Sequence, residues 1–444
     1  MHVVLAWVTI VRFGIVQGSI AAITVLPIST LPRLMIEELS LLAMAPGVLI
    51  GIHYAVQISR LRFGYGSDVG GRRTPFIIGG LVALGIAGVL ASLSVTLMTQ
   101  NPALGYAAAI LAYALVGIAV GAAGTTLLAL LATTVAPERR APAATIVWFL
   151  MILGLVLAAT LGGQAMIPFS YARLVEVSIA ISVIAVTVGT LALLGIEGKG
   201  RPREAQASGD RSAEGRTGKV KGSMMAAFRQ VWAEPAARGF TIFVFVSMFA
   251  YNMQELVLEP FSAAVFGLSP GESTQLSGNH HMGVLIGLII IAVVGRILRG
   301  RPGALVAVTV GGCLCSAAAL LTLAASAFFA PDWPLAATVM AFGVSNGVFA
   351  GAAIASMFSL AGMGAERREG TRMGIWGAAQ AIGFGLGMFF GASVLDAARI
   401  SLNDPSAFAA VFALEAVFFT FAALLAWRVA RGPAHEGRAQ PVPA

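Results

Sequence analysis

The residues of this chain that could do chemistry stand inside apolar runs. Asn252, Glu255 and Glu259 recur at i, i+3 and i+7, with Gln254 adjacent. On a helix that spacing puts the three on one face. His53 and Gln57 lie i, i+4 in an earlier run, His280 and His281 open a later one, and Glu415 stands alone in the last. An ionisable group in hydrocarbon is expensive and by default marks a site. Glu255, about 24 Å along a helix that enters near Gly239, is a ligand candidate. Glu259 is either a site residue or an outer-interface carboxylate. His53 either bonds a neighbouring helix or offers a ring nitrogen to a ligand. His280 and His281 are expected at the outer surface, as ligands near the headgroups or as plain interfacial residues. Glu415 is a proton carrier, or a neutral acid bonded to a neighbour. Pro260 removes a backbone donor and is expected to end or kink its helix there.

Other chemistries are absent. The five Asp residues, Asp68, Asp210, Asp332, Asp396 and Asp404, form no D-x3-D cluster, so a magnesium–diphosphate prenyltransferase site is missing its oxygen ligands. The sequence has no P-loop to drive an ATP pump. Cys313 and Cys315, the two cysteines, are two apart and do not face each other on a helix, which argues against a disulfide or a structural zinc.

The elements that hold these residues are membrane spans. Of 444 residues, 58% are hydrophobic and 11% charged, where a soluble domain has about 25% charged. Mean hydropathy is +0.88. A water-facing surface cannot be built from this, so soluble enzymes and nucleic-acid-binding domains are excluded; the net charge of +8 reflects basic cytoplasmic loops. Each crossing needs about 20 apolar residues. Twelve are expected, at 8–31, 41–60, 75–98, 104–135, 142–166, 172–196, 239–266, 277–298, 303–329, 333–362, 372–395 and 406–427. With both termini inside, inner segments carry 24 Lys/Arg and outer ones 3, which places the termini in the cytoplasm. The protein therefore reads as an all-α membrane protein in two six-helix halves, 1–196 and 239–430, with a cytoplasmic linker at 197–238 and a cytoplasmic tail at 431–444. Ser223–Trp232 is either a plain part of that linker or a short surface helix.

An offset of 228 superposes Glu138-Arg139-Arg140 on Glu366-Arg367-Arg368, Trp148 on Trp376 and Gly163 on Gly391. Duplicated halves with a site at their interface are a recurring transporter plan. Between the second and third spans, Gly64-x3-Asp68-x2-Gly71-Arg72-Arg73 resembles the inner-loop signature of the major facilitator superfamily. Gly64 and Gly71 permit a tight turn, Asp68 can accept N–H groups at a helix N-terminus, and Arg72 and Arg73 can reach carboxylates or helix C-termini across the half-to-half seam. The matching loop, Arg296 to Arg301, keeps the charge and lacks the Asp. In the fifth span, Gly154-x3-Ala158-Ala159-x2-Gly162-Gly163 resembles the superfamily's antiporter motif, with close helix packing as its expected role.

More specific stretches are Ser29 to Leu39, His53-Tyr-Ala-Val-Gln57 leading through Asp68 to Pro75, and Gln254 through Glu259, Pro260 and Phe261 to Gly271. Together they resemble the PucC-like bacteriochlorophyll-delivery family of phototrophic bacteria; Pro32 stands where that family's S-T-L-N-R run has Asn. The resemblance implies a major facilitator fold and a carrier or assembly factor, not an enzyme, that handles bacteriochlorophyll or a late precursor. The alternative within the same fold is a proton-coupled small-molecule exporter. The resemblance favours His53 as a ligand to chlorin magnesium; Gln57, Asn252, Gln254, Glu255, Glu259 and His281 are further ligand-binding candidates, as polar groups inside the spans. No cofactor beyond the pigment is expected. Light-harvesting polypeptides and pigment-synthesis enzymes are the implied partners, in a photosynthetic inner membrane.

Overall fold

The computed structural model describes residues 2–59, 72–135, 140–197, 232–298, 303–361 and 369–430. The Gly64, Asp68 and Gly71 turn, the Glu-Arg-Arg loops up to Arg139 and at 366–368, Arg299 to Arg301, and the linker from 198 to 231 lie outside these. Among the described residues every regular element is helical. They are α1 (His2–Val25, prolonged by π-helical turns to Glu38), α2 (Met44–Ala55), α3 (Thr74–Met98), α4 (Pro102–Thr134), α5 (Arg140–Ala165), α6 (Tyr171–Leu193), α7 (Pro235–Met253 and Leu258–Phe266), α8 (Pro270–Ile297), α9 (Ala304–Ser326), α10 (Leu335–Ala361), α11 (Glu369–Arg399) and α12 (Asp404–Ala430). Eleven of the twelve are long and apolar enough to cross a membrane. The exception, α2, has 12 residues and continues as a 3-10 turn over Val56–Ser59.

Three sequence expectations are corrected. The first span does not end near residue 31. Pro27 and Pro32 have no N–H to give the helix, and the chain absorbs the missing bonds in π-helical turns at Leu26–Thr30 and Leu34–Glu38. The eighth span begins at Pro270, where Ser269 and Glu272 form a reciprocal capping box. His280 and His281 are therefore ten residues inside it, about 15 Å from its end, and not at the outer surface. The break in α7 falls at Gln254–Val257, before Pro260. Pro260 sits in the first turn of the outer segment, where it needs no donor, and the carbonyl it would strike, four residues back, belongs to the turn.

The packing repeats. In the first half α1 lies against α5 and α6, α3 against α4 and α6, and α2 against α4. Adding six to each number gives the second half: α7 on α11 and α12, α9 on α10 and α12, α8 on α10. The seam joins α5 to α8 and α11 to α2, a pair that the same rule exchanges. This is the major facilitator architecture of two pseudo-symmetric halves. Lipid is as apolar as Leu, so contact in the bundle depends on close approach of small residues. A Cβ on Gly154 of α5 would stand 2.7 Å from Gly18 Cα of α1, and one on Gly163 would stand 2.6 Å from Gly271 O of α8. The glycine run of the fifth span thus packs one helix within its half and one across the seam.

Candidate functional site

Polar groups tie the two halves on the side opposite the termini. Asp396 of α11 accepts the backbone N–H groups of Ala43 and Met44, at 2.7 and 2.8 Å, at the start of α2. Arg399 bridges Glu37 of α1 (2.9 Å) and Asp404 of α12 (2.8 Å), with its guanidinium 5.0 Å from the centre of the Phe408 ring. Arg33, buried in α1, donates to Glu38 (2.6 Å) and to Leu268 O in the α7–α8 connection (2.9 Å). A buried charge is tolerated only when it is paired in this way.

Below this layer the two interrupted helices meet. The 228-residue offset that aligns the halves also places Pro32 on Pro260, so the π-turns of α1 and the break in α7 are equivalent features. Interrupted helices in matching positions of two halves point to a transporter's binding site. Here Ser29 Oγ of α1 donates to Glu255 Oε1 in the α7 turn at 3.5 Å. His281 Nε2 of α8 approaches the same oxygen at 3.9 Å. Thr30 and Thr274 share a 2.8 Å hydroxyl bond between α1 and α8, and Ser277 of α8 donates to Glu259 Oε1 at 2.7 Å. His280 Nε2 lies 3.4 Å from Asn346 Nδ2 of α10, whose Oδ1 accepts from Ser316 of α9 at 2.8 Å. His281, Asn346 and Glu415 all stand about 15–17 Å from the nearer ends of their helices, which is the midplane of a bilayer core about 30 Å thick. Glu255 shares their level through its approach to His281.

Several buried atoms here lack a protein partner: both amide atoms of Gln254, Oε2 of Glu259 and both oxygens of Glu415. The surroundings are aromatic. Tyr251 lies 6.1 Å from Phe384, Phe249 packs on Phe390 and Phe418, and Phe261 packs on Phe408 and Phe412.

The structure brings Gln254, Glu255, Glu259 and His281 together and separates Asn252, His53 and Gln57. Asn252 turns to α11 and donates to Phe384 O at 3.4 Å. His53 is buried in α2, with its ring edge-on to Tyr54. Gln57 Nε2 lies 2.9 Å from His53 Nε2; an amide nitrogen only donates, so that ring nitrogen's lone pair is engaged. Arg72 opens the described residues after the undescribed loop. Arg73 sends Nη1 to Ala129 O of α4 at 2.7 Å, a contact within its own half. The backbone N–H groups of Arg73 and Thr74 both reach the Glu197 carboxylate. Burial pushes that carboxyl up, but the N–H groups at the start of α3 outweigh it and hold Glu197 below the usual carboxylate range. Glu197, the first residue of the expected linker, is a cap on α3. Arg12, without a role in the sequence reading, donates to Ala192 O and Leu194 O at the C-terminal end of α6, where a cation complements the helix dipole.

Ser29, Thr30, Thr274, Ser277 and Asn346 were missed as site residues. Each is ordinary in a membrane helix, and the one available signal was the alignment of Pro32 with Pro260. Trp148 and Trp376 share a register, yet Trp148 is exposed while Trp376 is buried against Phe240 at 4.8 Å.

A family model described as PUCC protein matches residues 30–433. The bacteriochlorophyll synthase 44.5 kDa chain of Rhodobacter capsulatus is 43% identical over 433 residues, 97% of each chain. Protein PucC of Rhodovulum sulfidophilum is 28% identical, over 88% of this chain and 86% of its own. Among solved structures, a bacterial homologue of the human lysosomal transporter Spinster, inward-facing and unoccupied, superposes with a TM-score of 0.67 over 98% of both chains at 16% identity. That last likeness speaks to fold alone. With a family model spanning nearly the whole sequence and a relative at 43% identity, this multi-pass bacterial membrane protein belongs to the PUCC protein family.

Proposed function

We propose that this chain is a non-enzymatic membrane carrier or assembly factor. It holds bacteriochlorophyll, or a late precursor, in the seam between its halves and delivers it to light-harvesting or reaction-centre complexes as they assemble. The observation that carries the reading is the meeting of the two interrupted helices at Ser29 and Glu255, at mid-membrane. The family and the name of the 43%-identical relative supply the pigment class. The composition of the halves suits a large planar ring: residues 239–430 contain 19 Phe and residues 1–196 contain 5, and aromatic faces stack on such rings. The pigment brings its own magnesium, so the reading requires no further cofactor. His53 is the proposed axial ligand, released by Gln57 when pigment arrives; Gln254, Glu255, Glu259 and His281 are the polar groups of the pocket.

Halves 1–196 and 239–430, with linker 197–238 and tail 431–444 on the cytoplasmic side, complete the reading. The bonded layer at Asp396 and Arg399 then closes the outer face, and pigment enters and leaves by the cytoplasmic side or sideways within the membrane. The test is a pigment extract of the protein purified from a bacteriochlorophyll-producing cell. Stoichiometric pigment in the wild type, lost in the double variant Glu255→Leu/His281→Leu, is expected. A wild-type protein that purifies pigment-free from such cells overturns the reading.

A further inference from the structure

The bonds of the central site leave Glu415 unexplained. It sits in the middle of α12, fully buried, and neither oxygen has a protein partner. Leaving a bare carboxylate in that position costs far more than taking up a proton. The groups around it sharpen the point. α12 packs on both segments of α7 and on α9 and α11. From α7 come Tyr251, Glu255 and Glu259; from α9 comes Cys313, fully buried. From α11 come Asp396 and Arg399, both committed at the closed end. Asp404, at the start of α12 itself, is taken by Arg399. Arg238 of α7 and Arg428 of α12 are exposed near the far ends of their helices, Arg428 about 20 Å along α12 from Glu415, so neither neutralises it. Glu255 lies in the turn between the two α7 segments, both of which pack on α12. Glu255 is itself held by Ser29 and His281.

We propose that Glu415 is a proton-binding site, and that its proton is linked to occupancy of the α7 break. The second part rests on the pigment reading above. Glu255 lies in a four-residue turn whose backbone bonds are few: Val257 N and Leu258 N both reach Gln254 O. That turn can rearrange without unwinding a full helix, so a ligand seated there changes the field felt by Glu415. The chemistry is a single proton exchanged between the Glu415 carboxyl and water. Glu255 and His281 are the intermediate groups, with side chains 16% and 13% exposed where Glu415 is fully buried. No other bond forms or breaks.

Two measurements test this. Infrared spectroscopy of the purified protein at neutral pH should show a carboxylic-acid carbonyl band that disappears in Glu415→Gln. Titration with bacteriochlorophyll in detergent should show the dissociation constant rising about tenfold per pH unit on the alkaline limb, as one linked proton requires. Glu415→Gln keeps a neutral group at every pH, so its dissociation constant should stay flat. Absence of a Glu415-dependent band overturns the proton site. A flat wild-type profile, or a wild-type slope in Glu415→Gln, overturns the linkage. If the band is present but bacteriochlorophyll fails to bind at any pH, the pigment reading and its linkage fail while the proton site stands.

Discussion

Asp396 offers a direct probe of how the two halves part. Its two oxygens accept the Ala43 and Met44 N–H groups, 353 and 352 positions away in sequence, at 2.7 and 2.8 Å. Opening the seam on that side must break both bonds at once. Hydrogen bonds to a charged group contribute about 1.5–3 kcal/mol when sheltered, and losing a helix N-cap costs about 0.5–2 kcal/mol. The Met44 end is solvent-exposed, so screening lowers the figure. We take about 1–2 kcal/mol for Asp396→Asn, which removes the charge and turns one acceptor into a donor that opposes the N–H groups. At 1.4 kcal/mol per tenfold, this raises the open population about fivefold to thirtyfold. The assay is hydrogen exchange by mass spectrometry in lipid nanodiscs, following the peptide that contains Ala43 and Met44. Its amides should exchange faster by that factor in Asp396→Asn, and an α3 peptide should not change. Equal exchange in wild type and variant would show that the contact does not hold the seam, and the reasoning would fail.

Three further outcomes are expected. Glu197→Gln should lower the melting temperature at neutral pH by the equivalent of about 0.5–1 kcal/mol, the low end for a solvated cap. Because Glu197 is held below its ordinary value of 4.5, its contribution is present above that value and is lost as pH falls through the depressed one; the wild-type and variant melting temperatures should converge in acid, and a gap that persists there would count against the cap. His53→Leu and His53→Phe keep bulk and remove the ring nitrogen, so pigment content should drop and the long-wave absorption band should shift; unchanged spectra in both would leave His53 as a packing residue bonded to Gln57. Gly154→Leu drives a side chain into the α1 backbone at Gly18 and should destabilise the detergent-solubilised protein by about 1–3 kcal/mol, whereas Gly124→Ala, with nothing within 4 Å of the new carbon, should not; equal melting of the two would refute the close α1–α5 contact.

Composition and run length were enough to determine the class of this protein. A chain with 11% charge and apolar runs of about 20 residues has no way to satisfy its backbone in lipid except as helices, so the all-helical membrane class was legible, and eleven of the twelve expected spans are long and apolar enough to cross. The repeat at an offset of 228 was legible too, because duplication leaves residues such as Gly163 and Gly391 in register. Helix ends were less so: α1 runs on past Pro27 and Pro32 through π-turns, and α8 starts a turn and more early at its capping box. Both depend on backbone bonds that hydropathy does not record. The candidate site divided along the same line. Glu255, Glu259 and His281 announced themselves because a charge in hydrocarbon is costly wherever it sits. Ser29, Thr30, Thr274 and Ser277 did not, since a hydroxyl in a helix can satisfy itself on its own backbone. Only the approach of α1 and α8 to the α7 break turned the hydroxyls of Ser29, Thr30 and Ser277 outward, onto Glu255, Thr274 and Glu259, while Thr274 also keeps its own Pro270 carbonyl. Likewise the sequence could mark Glu415 as unusual, but only tertiary packing, with α12 set against α7 and no cation alongside, decided that it has no partner to share its charge.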